Sequence, residues 1–384
     1  MANAEMFHVR TEEAPLLPAP VSTTGAIGWM RQNLFSSIGN TILTVIGIFI
    51  AYSMIMPIIQ FAFIDAVWTG EDRTACLAAE PGEKVGACWA YVGAYMKQFI
   101  YGRYPYEELY RVNIVYGLFA LLLIPLAMPS VPAKGLNAFL FLVMFPIAAY
   151  YLLTGLEFGS FVVFPIVETA VWGGLLVTLV IAVTGIVASL PLGVALALGR
   201  RSQMPIIKLV SIIFIEFWRG VPLITVLFMA SVMLPLFLPE GVNFDKLLRV
   251  LIGVTLFSAA YMAEVVRGGL QAIPKGQYEG AMALGLRFWP MMYLIILPQA
   301  LKLVIPGIVN TFIGLFKDTT LVLIVGMFDL LGQIKSSFSD STWATPSQGP
   351  TGYLFAGVVF FLFCFGMSRY SIFMEKKLHT GHKR

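Results

Sequence analysis

Eight apolar runs, at 38–61, 112–128, 137–155, 173–198, 206–236, 247–266, 298–317 and 352–374, constrain this 384-residue chain more than any other feature. About 20 apolar residues at 1.5 Å each cross a bilayer, and in hydrocarbon a backbone must satisfy its own polar groups, so each run predicts a membrane helix. The expected fold class is therefore all-α: a polytopic membrane protein of about eight transmembrane helices. Charged residues make up 12% of the chain, against about 25% in soluble domains, which excludes a soluble enzyme on one anchor. The 206–236 run is too long for one straight crossing, and Gly220 and Pro222 mark where it bends. The short amphipathic stretch 319–333 predicts a helix lying at the outer surface.

Orientation follows from Lys and Arg in short loops. Arg200, Arg201 and Lys208 share one loop, and Arg267, Lys275 and Arg287 another. Lys134 and the tail residues Lys376, Lys377, Lys383 and Arg384 fall on the same face if the spans alternate. The opposite loop 156–172 holds Glu157 and Glu168 and no base. Both termini are thus expected inside and the long 62–111 loop outside. The first 37 residues are polar, carry Pro15, Pro18 and Pro20, and do not resemble a signal peptide, so they are read as a poorly ordered cytoplasmic tail. Three units are expected: the tail 1–37, an accessory membrane region 38–168 with a long outer loop, and a working core 169–384 that contains a cytoplasmic loop 268–298.

Cys76 and Cys88 flank a polar segment of the outer loop, where a disulfide and two free thiols remain equally open. His8, His379 and His382 sit in the tails, leaving no histidine in the spans for a proton relay or a zinc site. Net charge is +4 without a dense basic stripe, which argues against nucleic acid.

The loop from Gln277 to Pro298 carries the strongest local pattern. Pro274 suits a helix start, and Gly285 suits the left-handed residue that ends one. Arg287-Phe288-Trp289-Pro290 begins a second helix that runs into Pro298. Two short helices joined at a glycine make a knob. Glu279 is expected to point from it near the start of the first helix, with Ala281, Ala283 and Gly285 giving a thin surface for another protein.

That loop resembles the EAA motif of ABC importer permeases: Glu279, Ala281, Gly285, Ile295, Leu297 and Pro298 fall in its spacing, and Gly280 departs from its first alanine. The likeness extends through Gly173–Leu179, Phe217-Trp218-Arg219-Gly220-Val221-Pro222-Leu223, Ala260–Gly269 and Lys317–Leu321. These segments resemble the polar amino-acid permeases of the histidine, glutamine and arginine type. The added N-terminal spans resemble the long membrane subunit of general L-amino-acid importers. The resemblance implies a five-helix type I importer core preceded by three accessory helices, in a bacterial inner (plasma) membrane. It implies a permease that moves L-amino acids and is not itself an enzyme. Its partners would be a cytoplasmic ABC ATPase gripping Glu279, Gly280, Ala281, Gly285 and Pro298, a second homologous permease, a periplasmic amino-acid-binding protein and membrane lipid. The chain has no Gly-x-x-x-x-Gly-Lys-Ser/Thr run, so ATP is expected to be used by the partner, and no cofactor is expected on this chain.

Ionisable residues in spans are expensive and face a bundle interior or a water-filled path. Glu216 with Arg219, and Glu264 with Arg267, are three apart and share helix faces. Arg219, Glu264, Asn310 and Lys317 are the candidates for the substrate path, and Arg267 for a structural pair. Pro191, Pro222, Pro298 and Pro306 are potential kinks. Gly193 and Gly199 read as close helix packing. The rival reading is an ion-coupled secondary transporter acting without an ATPase; no internal repeat supports it.

Overall fold

The computed structural model describes residues 25–78, 84–128, 130–158, 161–239 and 244–378. His8, His379, His382, Lys383 and Arg384 lie outside the described residues. The chain divides into two units, the smaller described over 25–66 and 84–87 and the larger beginning at Val67 and taking in Cys88 onward.

In the smaller unit, helix α1 (Gly25–Asn33) occupies residues read from sequence as unstructured tail. Helix α2 (Ile38–Ile59) starts where the Ser37 side chain accepts a hydrogen bond from the Asn40 amide. The cap satisfies one of the donors that every helix start leaves over.

The larger unit opens on a short turn, Arg73–Cys76, whose first residues are held by the Asp72 carboxylate. Cys76 and Cys88 form a disulfide, settling the pairing that the sequence left open. Helix α3 (Trp89–Tyr101) follows, then α4 (Leu109–Ala127), α5 (Lys134–Phe139) and α6 (Phe145–Thr154). The short strands β1 (Leu156–Phe158) and β2 (Phe161–Phe164) pair antiparallel in the loop after α6, a local departure from an otherwise helical chain.

The core begins with α7 (Gly174–Arg200). Next come α8 (Pro205–Gly220) and α9 (Leu223–Phe228), which continues as irregular helix to Phe237. The two are bent 102° apart at Gly220–Pro222, where the sequence predicted a break. Helix α10 (Lys246–Ala272) is the most buried of the long spans and packs along α7. Small residues set how closely they approach: a Cβ on Gly193 would stand 2.6 Å from Met262 Cγ and 3.1 Å from the Ala263 nitrogen. Without a hydrophobic drive between helices in lipid, such close backbone contact is what holds them.

Helices α11 (Lys275–Ala283), α12 (Phe288–Met291) and α13 (Leu297–Leu303) form the polar loop and the return to the core. Helix α14 (Ile305–Asp318) starts afresh after Val304. The seventh run was therefore misjoined: 298–303 belong to α13, because Pro306 in the first turn of α14 has no N–H to continue the preceding helix. The stretch 319–333 is likewise not a helix on the surface. It makes tight turns to Val325, reverses at left-handed Gly326, and enters α15 (Leu330–Ser337). Thr319, Val322, Val325, Leu330 and Gln333 are buried, so most of this segment packs into the fold, with Ile324 left exposed. Helix α16 (Gln348–Leu378), with 31 residues, closes the fold and outruns the roughly 30 Å hydrocarbon layer. Among the described residues seven helices are long and apolar enough to cross a membrane, or eight crossings with the bent pair counted as one.

Candidate functional site: a docking knob and an arginine–glutamate cluster

Helix α11 is joined to α10 by Ile273 and Pro274 alone, and Pro274 caps it. Its end follows from Gly285. With φ at +74° this residue lets the chain turn back, so the Leu286 amide reaches the Ala281 carbonyl (3.2 Å) and the Gly285 amide the Met282 carbonyl (2.9 Å). This pair of bonds closes the carbonyls that the helix end leaves open. No atom lies within 4 Å of a Cβ placed on Gly280 or Gly285, so both stand in open space.

The knob has an inner and an outer side. Ala281 is buried against Ile273, Met291 and Ile296, which corrects the expectation that it helps form a thin contact surface. Its small side chain instead lets α11 lie close on the core. Glu279 is exposed but sits in the middle of the nine-residue helix, away from its first turn. Around it Met282, Leu284 and Trp289 are exposed, Leu284 by 78%. Pro298, also exposed, lies in the first turn of α13, and Gln299 Nε2 donates to Gln277 Oε1 at 3.0 Å, tying the far side of the loop to α11. Tyr278 points the other way, toward the end of α7, where Arg201 donates to its hydroxyl at 3.2 Å.

Next to this lies a cluster from three core helices. Glu264 of α10 accepts from Arg267 (2.6 Å) and from Arg200 of α7 (2.9 Å), with Arg219 of α8 at 3.9 Å. Glu216 of α8 meets Arg200 at 2.9 Å and Arg219 at 4.0 Å. The i,i+3 pairs anticipated from spacing are both present. Arg200 was not anticipated: it comes from a different helix, and nothing in its neighbours along the chain signals Glu264 as its partner. Three guanidinium groups against two carboxylates leave the cluster one positive charge in excess. It also staples α7, α8 and α10 together at one end.

The four path candidates separate into two groups. Arg219 and Glu264 belong to the cluster, and the Arg219 guanidinium stands 5.9 Å from the Tyr261 ring. Tyr261, Glu264 and Gly268 recur at helical spacing as the accessible stripe of α10. Asn310 and Lys317 lie two turns apart on one face of α14, and both are exposed. Helix α14 packs beside α10, with Gly307 against Val265.

At the opposite end, outside the spans, Asp329 caps α15. Its carboxylate accepts from the Gly332 amide at 2.9 Å and the Leu331 amide at 3.2 Å. Burial pushes its pKa up to about 6, against the pull of those amides in the other direction.

Comparison with known proteins matches the chain to a family. The family described as binding-protein-dependent transport system inner membrane component matches residues 189–379. The chain is 48% identical over 367 residues to the inner membrane amino-acid ABC transporter permease protein YhdY of Escherichia coli K12, covering 96% of this chain and 97% of that one. It is 43% identical over 434 residues to the glutamate/glutamine/aspartate/asparagine transport system permease protein BztC of Rhodobacter capsulatus, covering 98% and 99%. The glutamate/aspartate import permease protein GltK of Escherichia coli O6:H1 is 30% identical, with 53% of this chain covering 91% of it. Among solved structures, a crystal structure of an amino acid ABC transporter with histidines is similar, with 29% identity over 53% of this chain and 92% of that chain and a TM-score of 0.47.

Proposed function

Because the chain belongs to the family of amino-acid ABC transporter permeases, we propose that it works as one of two homologous permeases driven by a cytoplasmic ATPase. A soluble binding protein brings an L-amino acid to the outer face. The ATPase grips the α11–α12 knob through Glu279, Gly280, Gly285 and the exposed apolar side chains beside them. Its closure on ATP rocks the core helices to open the path outward, and hydrolysis returns them. ATP chemistry belongs to the partner, and this chain carries no cofactor.

The observation that carries the proposal is the build of the knob. Leu284 and Trp289 are exposed by 78% and 68% on a polar loop, while Ala281 anchors the helix beneath them. Exposed apolar patches rimmed by polar residues suit a protein partner. The disulfide supports the proposed orientation, since Cys76–Cys88 is suited to an oxidising outer compartment. In this reading both termini and the knob face the cytoplasm. Asn310 and Lys317, exposed beside the accessible stripe of α10, are proposed to line the path shared with the second permease. Lipid would cover the outward faces of the remaining spans.

The test is Glu279→Lys in cells that depend on uptake. The variant should reach the membrane in normal amount and lose transport, because a lysine reverses charge at the docking surface. Gly285→Asp should behave alike. Normal uptake by both would reject the docking assignment.

A further inference from the structure

Two consecutive arginines end α7, and residues adjacent on a helix diverge by about 100°, so they reach in different directions. Arg200 turns into the cluster and holds Glu216 and Glu264, each at 2.9 Å. Arg201 turns toward the loop. Its guanidinium donates to the Leu270 carbonyl at 2.8 Å and to the Tyr278 hydroxyl at 3.2 Å, and lies 5.7 Å from the Tyr278 ring centre. Leu270 is in the last turn of α10, where carbonyls lack helical partners. The Tyr278 hydroxyl also reaches that carbonyl, at 3.4 Å. One carbonyl, one guanidinium and one phenol thus join the ends of α7 and α10 to the residue next to Glu279.

We propose that Arg201 is the positioning residue that transmits movement of α11 to the arginine–glutamate cluster through its neighbour Arg200. This rests on the reading that α11 docks the ATPase. When α11 swings about Ile273–Pro274, Tyr278 must either leave Arg201 or draw the end of α7 with it. Drawing that end displaces Arg200, whose two carboxylates bind α7 to α8 and α10. A shift at the docking surface then loosens or tightens the staple that holds the inner ends of three core helices. Arg201 touches neither ATP nor amino acid and acts only through these contacts.

The experiment uses the whole complex in proteoliposomes with ATPase, both permeases and binding protein. Arg201→Ala should co-purify the ATPase and keep basal hydrolysis. The hydrolysis stimulated by loaded binding protein, and amino-acid uptake with it, should fall about tenfold, within the range typical of coupling between sites. The concentration of binding protein giving half-maximal stimulation should stay unchanged. Arg201→Lys, which still donates to both oxygens, should restore most of the stimulation. Adding Tyr278→Phe to Arg201→Ala should lower it little further. Wild-type stimulation and uptake in Arg201→Ala would overturn the proposal. Should that variant fail to insert, Arg201→Gln decides in the same way. A separate cross-link from Glu279→Cys to the ATPase keeps the underlying reading distinct: its absence rejects docking by α11 whatever the arginine does.

Discussion

Glu264→Gln isolates the charge at the centre of the cluster while keeping its volume and one acceptor. Glu264 is 16% exposed and receives charge-assisted hydrogen bonds from Arg267 at 2.6 Å and Arg200 at 2.9 Å, with Arg219 further off at 3.9 Å. Such bonds contribute about 1.5–3 kcal/mol each when desolvated, and less where water reaches them. Discounting for the partial exposure of the arginines, and adding their mutual repulsion once the carboxylate is gone, the loss comes to about 2–4 kcal/mol. For a core of this size that corresponds to roughly 5–15 °C in melting temperature. Glu216→Gln is the internal control. Its side chain is 53% exposed and its contacts are 2.9 and 4.0 Å, so screening leaves a loss of about 0–1 kcal/mol. Thermal unfolding of the purified chain in detergent, followed by tryptophan fluorescence, measures both. Equal melting of Glu264→Gln and wild type, or an equal drop in the two variants, would refute the view that burial makes Glu264 the hub.

Other consequences follow from the same geometry. Gly193→Val should separate α7 from α10, since the first added carbon already stands 2.6 Å from Met262, with a loss of about 1–3 kcal/mol; Gly268→Ala, in open space, should melt as wild type. Cys88→Ser should free Cys76, lowering stability by about 2–3 kcal/mol and speeding limited proteolysis around the Arg73–Cys76 turn, an effect mimicked by reductant on the wild type. For Asp329 the folded pKa of about 6 lies above the unfolded value, so the folded state holds the proton more tightly and stability rises as pH falls through 6. Between pH 7 and 5 the wild type should gain about 1.4 kcal/mol on Asp329→Asn, read from melting at each pH; parallel curves would remove burial as the cause. Lys317→Ala should impair uptake while the ATPase still co-purifies, whereas lost assembly would assign Lys317 a structural role.

Particular elements explain what could be read in advance. The break at Gly220–Pro222 was legible because proline acts on its own helix and needs no neighbour. The split at Val304 was only half legible: Pro306 was read as a kink, but a proline in the first turn of a new helix and one that kinks a continuous helix look alike in sequence. The knob was legible in outline, since Pro274 and Gly285 act locally, but Ala281 was assigned to the wrong side. A small residue at a helix surface serves a close partner equally well whether that partner is another protein or the chain's own core.

By itself the sequence determined a helical membrane chain with a polar two-helix loop, because in hydrocarbon every apolar run must satisfy its own backbone, and because caps and turns act within a few residues. Tertiary structure alone decided which charges meet across helices. Arg200 and Glu264 are 64 positions apart, and the Cys76–Cys88 pairing, open in the sequence, is fixed only where the fold brings the two sulfurs together. Ion pairs and disulfides depend on distances of a few ångströms, and for the charges only the packing of α7, α8 and α10 supplies them.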